Sequence, residues 1–332
     1  MTTLPLTVPG NLLSIRDVTV SLARNGREMV SGVSFDIARG EIFGIVGESG
    51  SGKTLFSLSV FGLHGEAKVT GGDVVFDGVP VVQNGRLTGS ARLLGKRVGF
   101  IPQDPYSSLN PSMRIGRQIT EAIYLARGTS PQSRKSRHEA IALLAEVGIP
   151  EPEIAFTQYP DQFSGGMRQR IVIAIALSQD PALLIADEPT TALDAFTQRR
   201  IIDLIVDRSH KRGLSVILIS HNLQLLRKSV DRIGVLYSGQ LLNVFHPSGL
   251  GQQKMHPYTE ALFECIPTED KTLDDIRSIP GEPAEAGFGL ACCSFAERCS
   301  HMQPQCQTDP LPTNVNGGKR FSACVLGLGV RP

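Results

Sequence analysis

The chain carries no excess of either charge, with 33 Lys and Arg against 32 Asp and Glu. That balance excludes a wholesale basic surface for a nucleic-acid backbone and leaves room only for a local patch. No nucleic acid is therefore expected as a partner. No apolar run approaches the roughly 20 residues that span a bilayer. The opening Met1-Thr2-Thr3-Leu4-Pro5 lacks the basic region and apolar core of a secretion signal. The expectation is a cytoplasmic protein that reaches a membrane through a partner. Internal repeats and low-complexity tracts are also missing. What remains is an ordinary globular composition, 41% hydrophobic and 20% charged in 332 residues. That length suggests about two domains. Cysteine is scarce until the end, since five of the six fall at or after Cys292. In a cytosolic chain such clustering argues for metal or redox chemistry over structural disulfides.

Residues 12–22 and 30–37 alternate apolar and polar, and Asn25-Gly26 lies between them, which predicts an antiparallel hairpin. A second hairpin is expected over 73–82 with Asp77-Gly78 at its tip. Four short apolar runs, 42–46, 98–101, 183–186 and 216–219, read as strands buried on both faces, alternating with helical segments. They predict a parallel sheet in an α/β domain. Between 105 and 163 the period becomes helical, as in 115–126 and 136–147, so this stretch reads as an inserted helical subdomain. From about 247 the composition shifts to Pro, Gly, Cys and Gln, which marks a C-terminal extension.

The strand at 42–46 runs into Gly47-Glu48-Ser49-Gly50-Ser51-Gly52-Lys53-Thr54, which fits the phosphate-loop pattern G-x-x-x-x-G-K-[ST]. Glycines let successive N–H groups point inward at phosphate oxygens. Lys53 is expected to reach the β- and γ-phosphates, and the Thr54 hydroxyl to ligate Mg²⁺. The helix that follows adds the positive end of its dipole. A second element, 183–186, ends in Asp187-Glu188 and so delivers two carboxylates at the C-terminal edge of a strand, where α/β sheets bind ligands. Asp187 is expected to hold Mg²⁺ largely through water, and Glu188 to polarise the attacking water.

These two elements alone fit many nucleotide hydrolases. Phe163-Ser164-Gly165-Gly166-Met167-Arg168-Gln169-Arg170 narrows the choice, because it resembles the L-S-G-G-Q signature of ABC ATPases. Ser164, Gly165 and Gly166 open a helical segment through 171–177, and bare amides at a helix start present an anion site. The resemblance implies that this site grips the γ-phosphate of ATP held on an opposite subunit. Gly166 precedes Leu183 of the acidic strand by 17 positions, as the family pattern requires. Gln103 resembles the Q-loop glutamine, which touches Mg²⁺ and senses the transmembrane subunit. Ala192-Leu193-Asp194 resembles the D-loop, and His221 the switch histidine beside the γ-phosphate. The resemblance covers roughly residues 12–250. One departure is the aromatic residue on which the family commonly stacks adenine; the best match here is Leu22, so stacking is weak or supplied elsewhere.

Three further stretches resemble the oligopeptide/dipeptide/nickel importer branch: Gln103-Asp104-Pro105-Tyr106-Ser107-Ser108-Leu109-Asn110-Pro111, His256-Pro257-Tyr258-Thr259-Glu260-Ala261-Leu262, and Ile279-Pro280-Gly281 followed by Cys293-x5-Cys299-x6-Cys306-x17-Cys324. Four converging thiolates would suit a [4Fe–4S] cluster or a structural Zn²⁺. The resemblance favours the cluster, while reduced thiols in a folded tail stay open. Cys292 beside Cys293 leaves the ligand set ambiguous.

The resemblance implies a P-loop NTPase core of the ABC type with an N-terminal antiparallel β subdomain. The expected division is 1–104 for the first part of the core, 105–163 for the helical subdomain, 164–250 for the second part and 251–332 for the Cys-containing extension. The implied function is ATP hydrolysis powering import of di- or oligopeptides. Nickel or metal-chelate uptake is the alternative, and a soluble non-transport ABC ATPase a more distant one. The implied partners are a second ATP-binding subunit, identical or paralogous, two transmembrane permease subunits and an extracytoplasmic solute-binding protein. The implied location is the cytoplasmic face of a bacterial inner membrane, held there peripherally.

Overall fold

The computed structural model describes residues 10–63, 65–191, 193–249, 255–266, 278–287, 290–312 and 321–326. Residues 1–5, read above for a secretion signal, and Ala192 of the expected D-loop lie outside the described residues. The strands are β1 (Asn11–Leu22), β2 (Glu28–Ala38), β3 (Ile42–Val46), β4 (Ala67–Phe76), β5 (Val79–Gln83), β6 (Arg86–Leu87), β7 (Val98–Ile101), β8 (Leu183–Asp187), β9 (Ser215–Ile219), β10 (Arg232–Tyr237), β11 (Gln240–Phe245) and β12 (Phe321–Ser322). The chain divides into two compact units, Met1–Ala91 with Ile219–Pro332, and Arg92–Leu218.

The first unit holds an antiparallel sheet in the order β2-β1-β4-β5-β6. Both expected hairpins form. β1 pairs antiparallel with β2, and Phe76 of β4 sits opposite Val79 of β5. The two residues between them, Asp77 and Gly78, have φ of 53° and 76°. That is the left-handed pair that a two-residue connection demands, because its twist matches that of the flanking strands. The same unit holds a second group of strands in the order β12-β11-β10-β3, with β3 and β10 parallel. β10 and β11 form a further two-residue hairpin through Ser238 (φ 45°) and Gly239 (φ 81°), which the sequence reading did not anticipate. Every residue of β3, β10 and β11 is buried.

Burial on that scale forces the polar residues of these strands to find partners. Arg232 is 5% exposed and bonds Glu41, 9% exposed, through Nε to Oε1 at 2.6 Å and through a terminal nitrogen to Oε2 at 3.0 Å. It also donates to the Asp36 carbonyl at 2.6 Å, while Glu41 Oε2 accepts the Ala38 N–H at 2.7 Å. The four bonds tie β2 to β10 around the stacked rings of Phe35 and Phe43, whose centroids lie 4.7 Å apart.

The second unit holds the parallel strands β9-β8-β7, with Val98 opposite Leu183 and Ile101 opposite Ala186. Around them lie helices Ile115–Arg127, Arg134–Glu146, Gly165–Ser178 and Ala195–Arg212. The second of these starts two residues before the expected 136, because the Ser133 hydroxyl accepts the Ser136 N–H and so caps it. Gly128 and Gly213, both left-handed, end the first and the last. Ile115, Ile119 and Ile123 repeat every four positions and bury one face of the first helix, which packs against helix Gly165–Ser178. No helix among the described residues is long and apolar enough to cross a membrane.

Removing one member of a buried ion pair strands the other, at a cost of about 3–5 kcal/mol. Glu41→Ala is therefore expected to lower the unfolding free energy by that amount in chemical denaturation. A loss under about 1 kcal/mol, the range of surface pairs, would show that Arg232 does not depend on Glu41.

Candidate functional site

In the first unit β3 ends at Val46 and the chain turns at once into the glycine-rich loop. A Cβ on Gly47 would lie 2.1 Å from the Leu236 carbonyl oxygen, so only glycine fits there. Gly50 and Gly52 take φ of 78° and 94°, a backbone that other residues rarely adopt. The curl carries Lys53 to the start of helix Lys53–Val60, 5% exposed. Its ammonium donates to the carbonyls of Gly47 and Glu48, both at 2.9 Å, and to the Ser51 hydroxyl at 3.4 Å. A buried cation in a glycine-rich curl at a helix start has the makings of a polyanion site. Thr54 follows on the first turn of the helix, half-buried. Ser49 and Gly50 are exposed, at the mouth of the curl.

The other sequence-read residues of this unit fall as follows. Ser220 directs its N–H to the Ile45 carbonyl of β3 at 3.1 Å, and His221 follows it, exposed. Leu22 lies half-buried at the end of β1. Sequence reasoning missed two residues that touch the loop itself. The Tyr258 hydroxyl accepts the Glu48 N–H at 3.1 Å, and Arg298 forms an ion pair with the Glu48 carboxylate at 2.7 Å. The His-Pro-Tyr-Thr stretch was the available signal, and it pointed to a branch of the family but not to a contact.

In the second unit Asp187 closes β8 and is 2% exposed. Glu188 takes φ 43°, a left-handed backbone for a non-glycine residue, of the kind that carries strain of about 1–3 kcal/mol at functional sites. The Thr191 hydroxyl donates to Glu188 Oε2 at 2.9 Å, and the Gln103 amide donates to the same oxygen at 3.4 Å. The structure thus brings Gln103 and Glu188 together. Asp104 caps the short helix after Gln103, and hydrogen bonds from Tyr106 and Ser107 hold its carboxyl below the usual carboxylate range.

Ser164 caps helix Gly165–Ser178, its hydroxyl accepting the Met167 N–H at 3.4 Å. Gly165 and Gly166 keep their helix start close to neighbouring chain. A Cβ on the first would lie 3.3 Å from the Tyr106 hydroxyl, and on the second 2.9 Å from Thr197 Cγ2. An open cleft of about 550 Å³ lies in front of them, lined also by Arg170, Asp194 and Arg200. Asp194 caps the next helix, and hydrogen bonds from Thr197 and Phe196 keep its carboxyl below the ordinary range. Arg170 and Arg200 are the cations that sequence reasoning did not single out. The first anchors to the Val147 and Gly148 carbonyls and the second lies over the Phe196 ring.

Two metal expectations separate here. Thr54 in the first unit, and Gln103 and Asp187 in the second, each carry a hard oxygen donor, the type that Mg²⁺ accepts alongside water and phosphate. The [4Fe–4S] expectation for Cys293, Cys299, Cys306 and Cys324 finds no support. Among the described residues no group of three or more His, Cys, Asp or Glu side chains is spaced to hold a metal. All six cysteines are free thiols. The Cys293 sulfur lies 3.6 Å from His256 Nε2, and burial pushes its thiol up to about 12. Burial likewise pushes the Cys299 thiol up.

Residues 30–191 match the ABC transporter family, and residues 247–306 match the C-terminal region of oligopeptide/dipeptide transporters. The dipeptide transport ATP-binding protein DppD of Bacillus subtilis (strain 168) is 39% identical over 301 residues, covering 89% of this chain and 88% of its own. The oligopeptide transport ATP-binding protein OppD of the same organism is 40% identical over 302 residues, covering 87% and 82%. Among solved structures, a dimeric ATP-binding cassette in a post-hydrolysis state with ADP and Pi superposes with a TM-score of 0.59 at 26% identity. That likeness covers 69% of this chain and 96% of the cassette. Relatives this similar over most of both lengths settle the kinship: the chain belongs to the ABC transporter family, in the branch that carries the oligopeptide/dipeptide C-terminal region.

Proposed function

We propose that the chain is the ATP-hydrolysing subunit of an importer for dipeptides or oligopeptides. The observation that carries the reading is the Lys53 ammonium, buried on two loop carbonyls at a helix N-terminus and ready to exchange them for phosphate oxygens. Peptide cargo is supported by the relatives, which are named for dipeptide and oligopeptide transport. Nickel or metal-chelate uptake and a soluble non-transport ATPase lack that support.

The roles divide as follows. Residues Gly47 to Thr54 hold the triphosphate, with amides and Lys53 against its charge. Thr54, Gln103 and Asp187 hold Mg²⁺, which, when bound, offsets the negative charge of the phosphate oxygens. Glu188 polarises the attacking water, and the hydrogen bonds from Thr191 and Gln103 aim its carboxylate. His221 stands at the γ-phosphate as the switch residue. Ser164, Gly165 and Gly166 grip the γ-phosphate of the nucleotide on a second ATP-binding subunit, identical or paralogous. Little covalent chemistry falls to the protein, since phosphoryl transfer depends on position and charge.

Closure of two such subunits on ATP drives a pair of transmembrane permease subunits, sensed at Gln103, and an extracytoplasmic binding protein delivers the solute. The chain itself works peripherally, at the cytoplasmic face of the membrane. Its organisation in this reading is 1–104 and 164–250 for the core, 105–163 for the helical subdomain and 251–332 for the extension.

Glu188→Gln keeps the shape and removes the base. ATP binding is expected to hold while turnover in the assembled transporter falls by at least about a hundredfold. Turnover within a few-fold of wild type would remove Glu188 from its role. Gly47→Ala tests the cradle, since its Cβ must displace the Leu236 carbonyl or the loop. Overpacking of this kind costs about 1–3 kcal/mol, so ATP affinity measured by calorimetry is expected to fall about tenfold. An unchanged affinity would mean that the loop is free to shift without loss.

A further inference from the structure

Glu48 is held at its carbonyl, its N–H and its carboxylate. Its carbonyl accepts the Lys53 ammonium at 2.9 Å, and its N–H donates to the Tyr258 hydroxyl at 3.1 Å. Its carboxylate takes a two-pronged pair from Arg298, at 2.7 and 3.2 Å. Two of these three holds come from residues of the C-terminal region, one of them 250 positions away. A third hold from the same region reaches Gly50, whose carbonyl accepts the Ala286 N–H at 3.0 Å. Ala286 also closes over Gly52, where a Cβ would lie 3.3 Å from its methyl group.

The holding residues are themselves immobilised. Tyr258 is fully buried, with ring centroids 4.5 Å from Tyr237 and 5.2 Å from Phe295. The Arg298 side chain is 7% exposed. It donates to the Pro280 carbonyl at 2.8 Å, to the Ile279 carbonyl at 3.4 Å and to the Tyr237 hydroxyl at 3.2 Å. Burial alone would lower its pKa, but the bonds to Glu48 and Tyr237 outweigh it and hold the guanidinium above its ordinary value. A planar fork set by three other acceptors can fix a carboxylate in one orientation, which a lone lysine could not.

We infer that Tyr258 and Arg298 are positioning residues for the phosphate loop, so that the C-terminal region sets the affinity of the chain for ATP. The inference rests on the reading that residues 47–54 hold ATP. By gripping the Glu48 peptide and side chain, the region fixes the first turn of the curl and, through the Glu48 carbonyl, the seat of Lys53.

The test uses the full chain and MgATP binding measured by calorimetry, with folding checked by thermal melting. Wild type, Lys53→Ala, Glu48→Gln, Arg298→Gln, Arg298→Lys, Tyr258→Phe and the double variant Glu48→Gln/Arg298→Gln are compared. Glu48→Gln and Arg298→Gln are each expected to weaken ATP binding at least about fivefold. The double variant is expected to be no weaker than the worse single one, since both remove the same pair. Arg298→Lys is expected to recover only part of the loss. Should Arg298→Gln fail to fold, Glu48→Gln and Tyr258→Phe decide alone. The inference is overturned if ATP binding in the folded variants stays within about twofold of wild type while Lys53→Ala abolishes it. A role confined to stability would lower the melting temperature and leave the dissociation constant unmoved. If wild type itself binds no ATP, the reading of the loop falls first, and that outcome is separate from the others.

Discussion

A buried ammonium group organises the first unit. Lys53 is 5% exposed, and a charge taken that far from water is tolerable only where polar atoms surround it. The carbonyls of Gly47 and Glu48 and the Ser51 hydroxyl supply them, and they can converge only because the loop curls tightly between β3 and the helix. The curl in turn needs Gly47 against the Leu236 carbonyl and left-handed glycines at 50 and 52. Every glycine of the loop is therefore accounted for by the seat of one nitrogen. Charged phosphate oxygens are stronger acceptors than carbonyls, so in the proposed function the Lys53 ammonium would exchange one set of partners for a better one.

The frame around the loop follows the same logic of satisfying buried polar groups. β10 and β11 carry Arg232, Gln240 and Asn243 inside a fully buried hairpin. Arg232 is answered by Glu41, Gln240 by the carbonyls of Leu290 and Cys292, and Asn243 by the Phe321 carbonyl. The last two tie the C-terminal region to the β10–β11 hairpin within the first unit, and β12 adds itself to β11 there. The region thus completes hydrogen bonds that the core strands could not complete themselves. Its hold on Glu48 is the outermost layer of that network.

Local patterns were legible in the sequence where a single rule governs them. The Asp77-Gly78 turn follows from backbone handedness, the strand at β3 from an uninterrupted apolar run, and the glycine loop from the tight curl between that strand and the helix. The signature helix begins at Gly165 because Ser164 can cap it, and both residues announce that. The hairpin through Ser238 and Gly239 was not read, because its strands interleave apolar residues with Arg, Gln and Asn whose partners lie far along the chain. The ion pair between Glu48 and Arg298 was hidden for the same reason. Cysteine spacing proved the weakest guide: Cys293, Cys299, Cys306 and Cys324 resemble a ligand set in sequence, yet no metal-holding group forms among the described residues.

The central claim is that one nucleotide is clasped by the Lys53 loop of one subunit and the Ser164 helix start of another. A structure of the assembled transporter trapped with a non-hydrolysable ATP analogue tests it most directly. The account predicts the triphosphate between Lys53 of one ATP-binding subunit and the signature glycines of its partner. A triphosphate touching a single subunit, with Gly165 and Gly166 open to solvent, would contradict it.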